Sequence, residues 1–340
     1  MSRTRPFAAA CLLAACGDPS APTTSSRVDT QSSESGEPET LQEPLRLNHL
    51  QALGTHNSYH LAPSASILAW RYSHRPLDEQ LEIGVRQFEL DLFRDAAAGD
   101  FDVYHLATID QETNCPTLTD CLETMLVWSQ AHPEHHPVVV LLEPKDTVSS
   151  EDAGEWLDAL ESIVSATWPR ELVLSPDLVA REHGSLRAGL AAEGWPTIDA
   201  LRGRTLFVLH TGGVLRDELV ERGPNGPLLF PDAMGDLAAE HAAFHSINDP
   251  IGRADAIAAA VELGHLVRTR ADADNVEPTT NDVGRRDAAL AGGAHLISTD
   301  WPEPASSGYV VTIPGGTPSR CNPTHAPVGC TSTAIEDLGD

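Results

Sequence analysis

VRQFELDLF, residues 85–93, alternates its side chains with the period of two that a β-strand imposes. Phe88, Leu90 and Leu92 fall on one face, where helices would cover them, and Glu89 and Asp91 fall on the other. Two carboxylates side by side on an inward face repel each other unless a cation or a proton intervenes. The inside of this fold must therefore hold something polar.

Six further runs read as strands: HLQALG (49–54), PVVVLLE (137–143), TLFVLH (205–210), AFHSIN (243–248), HLVRTR (265–270) and AHLIST (294–299). Between them lie helical patterns, PLDEQLEIG (76–84), TLTDCLETMLVWSQAH (117–132), SEDAGEWLDALESIVSAT (150–167), GRADAIAAAVELG (252–264) and TTNDVGRRDAALAGG (279–293). Strands separated by helices imply βα units and a mainly parallel sheet. Repeated seven or eight times in one chain, such units predict an α/β fold of the (β/α)8 TIM-barrel type, without a boundary for a second domain.

In barrels of this kind the chemistry sits where the strands run out. GTHNSYH (54–60) places His56 and Asn57 after the first strand, and His105 closes the short run FDVYH (101–105). Glu143 and Lys145 share one parity at the end of the third strand. Asn57, Glu89, Asp91 and Glu143 together offer four oxygen donors, a set suited to calcium, less readily to magnesium, and not to zinc. His56 and His105 are nitrogen groups able to move protons near neutral pH. Lys145 is the only lysine in the chain. It reads as a phosphate contact, with simple neutralisation of Glu143 as the alternative. Arg268 and Arg270 share a parity near another strand end and extend that contact. His210 and Asp300 are further candidates, Asp300 either as a strand-end cap or as part of the site. His60, His74, His132, His135 and His136 read as solvated loop residues.

The chain has 340 residues, 41% hydrophobic and 21% charged, with a net charge of −28. That balance excludes a phosphate-tracking nucleic-acid binder and a polybasic grip on anionic lipid. MSRTRPFAAACLLAAC (1–16) has a basic start, a short apolar run and a Leu13-Ala14-Ala15-Cys16 ending that resembles a bacterial lipoprotein signal. Cys16 would then be the lipidated first residue, a plain secretory leader being the alternative; either way the protein is exported. Residues 17–44, rich in Ser, Thr, Pro and Glu, read as a disordered linker, and 45–340 as one barrel, acting as a monomer. Cys115 and Cys121 lie close together, as do Cys321 and Cys330. Of the three possible pairings the two local disulfides are favoured, since neither pair has the CxxC spacing of a zinc site. The second would staple an irregular tail, Tyr309–Cys330.

THNSY (55–59), ELDLF (89–93), VYH (103–105) and LLEPK (141–145), in this order, resemble the calcium-dependent phosphoinositide-specific phospholipase C family, in its secreted bacterial form. PLDEQLEIGVRQFELDLF (76–93) and VRTRADADNVEPTTNDVGRRDAALAGGAHLISTDWP (267–302) carry the same likeness, which spans about Leu45 to Pro302. The resemblance implies Asn57, Glu89, Asp91 and Glu143 as calcium ligands and His56 and His105 as the catalytic pair. Glu89 or a neutral histidine would take the proton of an inositol 2-hydroxyl, and His105 would protonate the leaving diacylglycerol oxygen. His56 would bond a phosphoryl oxygen; Lys145 and Arg268, read from their own positions above, would be the substrate contacts. The implied substrate is a phosphatidylinositol-type lipid, cleaved to diacylglycerol and a cyclic or open inositol phosphate. A glycerophosphodiester phosphodiesterase on the same barrel is a second reading, but THNSYH replaces that family's usual His-Arg-Gly opening. A lipoprotein that binds calcium or ligand without turnover is a third; the intact histidine pair and carboxylate set stand against it.

Overall fold

The computed structural model describes residues 40–64, 67–316 and 318–337. The chain divides into two units, Met1–Pro38 and Glu39–Asp340, and the second is described here. The leader 1–16 and most of the 17–44 linker lie outside the described residues.

Among the described residues ten strands are formed: β1 (Leu50–Thr55), β2 (Val85–Asp95), β3 (Asp100–Val103), β4 (Val138–Pro144), β5 (Thr205–Leu209), β6 (Leu229–Pro231), β7 (Phe244–Ser246), β8 (Leu266–Arg270), β9 (Leu296–Thr299) and β10 (Ser319–Cys321). Eight run parallel in the order β6-β5-β4-β2-β1-β9-β8-β7. A parallel bridge between Asp232 and Phe244 draws β6 and β7 together, so the sheet curls into a nearly closed barrel. Two short strands are added antiparallel, β3 on β2 and β10 on β1. All seven strand runs predicted from sequence are present. β6 is the eighth barrel strand, and it is too short and Pro-flanked to show a period.

The alternation of β2 decides the layers. Phe88, Leu90 and Leu92 pack outward with Val140 and Leu142 of β4 and with the helices Leu118–Ala131 and Ala153–Thr167. Inside, Ala52, Val139, Leu141, Leu206, Val208, Phe230 and Phe244 fill the barrel floor. Each Val, Leu and Phe among them contributes roughly 1.5–3 kcal/mol by leaving water. The helix Leu118–Ala131 starts cleanly because the Thr117 side chain accepts the Asp120 N–H. Above the apolar floor, register places Asp91 directly beside Glu143 and Glu89 beside Leu141, so the polar layer sits at the C-terminal ends of β2 and β4.

Both local disulfides form, Cys115–Cys121 and Cys321–Cys330. The second closes a loop inside the tail rather than tying the tail to the barrel. What joins tail to barrel is β10 on β1 and a buried ion pair between Arg86 and Glu336, whose carboxylate also accepts the His136 N–H at 2.9 Å.

Candidate active site

The turn after β1 is fixed by its own polar side chains. Ser58 Oγ accepts the Glu89 N–H at 2.9 Å and meets Thr55 Oγ1 at 2.7 Å, which clamps the turn to β2. Asn57 adopts a left-handed backbone, with φ of 43°, a conformation that Asn tolerates better than most residues. The turn swings His56 over the end of the barrel. Its Nδ1 lies 2.7 Å from Asp300 Oδ1, and Arg270, which can only donate, reaches its Nε2 at 3.3 Å. Nδ1 therefore carries the proton and donates it to Asp300. Burial, reinforced by Arg270, holds the His56 pKa well below the ordinary range, so the ring is neutral.

His105 has the same construction. Its Nδ1 lies 2.7 Å from Asp110 Oδ2, leaving Nε2 for the cleft, and Asp110 is fully buried. Asp110 also takes His60 Nε2 at 3.1 Å. His56, Asn57, Trp70, Tyr72, His105, Arg270, Asp274 and Asp300 line one small cleft, so the two histidines predicted to work as a pair face a common space.

The carboxylates form the adjoining layer. Glu89, Glu143 and His210 each offer an atom within 4.8 Å of the others. Glu89 Oε1 lies 3.9 Å from His56 Nε2, which links this group to the cleft. The other oxygen of Glu89 accepts from Arg268, which also donates to Asn248 Oδ1 at 2.6 Å and Ser298 Oγ at 3.1 Å. Burial would raise the Glu89 pKa, but Arg268 holds it low. Asp91 is buried, and neither of its oxygens accepts a well-formed hydrogen bond. Burial and the neighbouring Glu143 push its pKa well up. Lys145 sits between these two, 3.0 Å from Asp91 Oδ2 and 2.7 Å from Glu143 Oε1. His210 is held by Asp232 at 2.8 Å; burial opposes its charge, yet Asp232 raises its pKa.

These residues fit a hard cation. Three carboxylates crowd two adjacent strand ends, and the buried Asp91 oxygens accept no well-formed hydrogen bond, with the Lys145 ammonium as their close cation. Asn57 lines the cleft next to His56.

Several expectations change. Arg268 is enclosed and engaged with Glu89, whereas Arg270 reaches the cleft wall. Four histidines read as solvated are buried instead, because each ring finds protein partners. His60 bonds Tyr72 O and Asp110, and His74 donates to His56 O. His135 and His136 bond Ser129 and Ser319. His132 remains on the surface, stacked on Trp128. Asp300 belongs to the site. Asp110, Asp232 and Tyr72 were not anticipated, since loop residues leave no periodic signal. Asp272 could have been found, since it shares the inward parity of Arg268 and Arg270 in VRTRAD. Asp272 accepts the Asp300 N–H at 2.9 Å and so braces that residue from behind. Close in sequence to the cleft residues Trp70 and His105, the side chains of Ile67, Leu68, Leu106 and Ile109 are exposed.

The family model described as Ca2+-dependent phosphoinositide phospholipase C matches residues 45–103 and 100–323. Among solved structures, a calcium-dependent phosphoinositol-specific phospholipase C from Pseudomonas sp. is similar at 19% identity and a TM-score of 0.61, covering 82% of this chain and 96% of that one. A Ca2+-dependent phosphatidylinositol-specific phospholipase C from Streptomyces antibioticus is similar at 18% identity and a TM-score of 0.56, covering 76% and 95%. No curated protein matches the chain.

Proposed function

The chain belongs to the Ca2+-dependent phosphoinositide phospholipase C family, and from that premise we propose that it cleaves phosphatidylinositol-type lipids to diacylglycerol and a cyclic inositol phosphate. One observation carries the reading: two histidines, each held through Nδ1 by a buried carboxylate at 2.7 Å, face one cleft beside a carboxylate layer.

In this reading the inositol 2-hydroxyl attacks phosphorus and gives its proton to His56 Nε2. Asp300, already bonded to Nδ1, stabilises the imidazolium that forms, as does Glu89 3.9 Å away. The phosphorus–oxygen bond to diacylglycerol breaks as that oxygen takes a proton from His105 Nε2, with Asp110 fixing the ring. Arg270, at the cleft wall, faces the phosphoryl oxygens. Calcium, when held by Asn57, Glu89, Asp91 and Glu143, supplies positive charge to the phosphoryl group and acidifies the 2-hydroxyl. The exposed Ile67, Leu68, Leu106 and Ile109 support a lipid substrate, since they flank in sequence the cleft residues Trp70 and His105.

The same proposal includes export and anchoring through a lipidated Cys16, with the chain acting as a monomer. The leader composition supports it, and so do two disulfides, which form in an oxidising compartment.

Purified protein with phosphatidylinositol vesicles tests the activity. The expected result is release of a cyclic inositol phosphate that stops when calcium is chelated. Unchanged release under chelation would remove the ion from the reaction, and no release from any inositol lipid would remove the substrate class.

A further inference from the structure

The carboxylates read above as calcium ligands already have a resident cation. Asp91 and Glu143 are register partners on β2 and β4, so their side chains leave neighbouring strands at the same level. The Lys145 ammonium bridges them, 3.0 Å from Asp91 Oδ2 and 2.7 Å from Glu143 Oε1. Asp91 has no well-formed hydrogen bond, so this ammonium is the charge it faces at close range.

Calcium binds oxygen at about 2.3–2.6 Å. An ion held by the same two oxygens would therefore lie within a few ångströms of the Lys145 nitrogen, next to the fully buried Asp91. Like charges so close repel strongly, because their separation is far shorter than the distance over which salt and water screen them. The two cations cannot share the gap. The carboxylates are fixed on barrel strands, whereas Lys145 lies just past β4 on a flexible four-carbon stem with its side chain 24% exposed. The ammonium is the part that can move.

We propose that Lys145 is a built-in competitor for the divalent cation: its ammonium holds Asp91 and Glu143 together in the metal-free protein, and the ion binds by displacing it. The inference rests on the assignment of Asp91 and Glu143 as ligands. It has two consequences. Lys145 sets the calcium affinity, keeping it weaker than the carboxylates alone would give. The ammonium also becomes free to meet a phosphate only once the ion is in place, which couples metal binding to substrate binding.

Two measurements on the full chain test this without reading activity. In calorimetric titration with calcium alone at pH 8, Lys145→Met is expected to bind at least tenfold more tightly than the wild type. The charge-keeping Lys145→Arg is expected to stay within about threefold of the wild type. Wild-type or weaker affinity in the Met variant would overturn the proposal while leaving the ligand assignment standing. Absence of calcium binding in the wild type and both variants would overturn the two together.

The second measurement needs no variant, since Lys145 is the only lysine. Its acetylation rate in the wild-type protein, mapped by mass spectrometry, is expected to rise at least fivefold when calcium is added. An unchanged or slower rate at saturating calcium would contradict displacement.

Discussion

Asp110 and Asp300 are the residues on which the proposed chemistry turns, although neither would touch the reacting atoms. Each binds an Nδ1–H, so each decides which histidine nitrogen faces the cleft. Asp110→Asn can present its amide N–H to His105 and so favour the wrong tautomer. The expected result is a fall in kcat of about 10–100-fold with little change in KM, read from initial rates on phosphatidylinositol. Asp300→Asn should act likewise through His56. Asp110 also marks the limit of residue-scale reading, whereas Asp300 is already a candidate from STDWP. His56, Asn57, Glu89, Asp91 and Glu143 were legible because strand parity and strand ends constrain them. Asp110 was not. It meets His105 through a local loop in which Leu106 and Asp110 exchange both backbone hydrogen bonds, a geometry without a hydrophobic period.

At the scale of elements, the junction of β1 and β2 carries the site. Gln87 folds over Gly54 and donates to Thr55 O at 3.2 Å, just before the His56–Asn57 turn. A Cβ on Gly54 would stand 2.2 Å from Gln87 Oε1 and 2.9 Å from Gln87 Cβ, and Gln87 is fully buried. Gly54→Ala should therefore cost about 1–3 kcal/mol, seen as a lower Tm, and should disturb the turn that aims His56. The long alternating strands were readable from their period, and the helices between them from their apolar stripes. The helix Gly213–Glu221 escaped because it buries only Leu215 and Leu219. β10 escaped because nothing local dictates that Ser319–Cys321 should lie along β1.

Across the whole molecule, charge is distributed unevenly between surface and interior. The chain carries a net charge of −28, yet much of its titratable interior is imidazole. Burial lowers the pKa of His74, His136, His245 and His265 to about 4 and of His295 to about 3. The unfolded chain takes up these protons near 6.5, so the stability they allow is complete above that pH and is lost as pH falls toward 4. Each histidine contributes at most about 1.4 kcal/mol per pH unit across that window. Asp272, raised to about 7 by burial and by Asp300, acts in the opposite direction, as do Asp91 and Asp300, which burial also raises, but the lowered rings are more numerous. Tm should fall steeply between pH 6.5 and 5 by calorimetry; a flat profile would mean that these rings are solvated. The central claim remains that the two histidines of one cleft divide the proton transfers, with His105 serving the leaving oxygen. The most direct test compares His105→Ala on phosphatidylinositol and on an inositol phosphate ester of a nitrophenol, whose leaving oxygen needs no proton. The account predicts a loss of at least 100-fold on the lipid and less than about tenfold on the nitrophenyl ester. Equal losses on both substrates would contradict it.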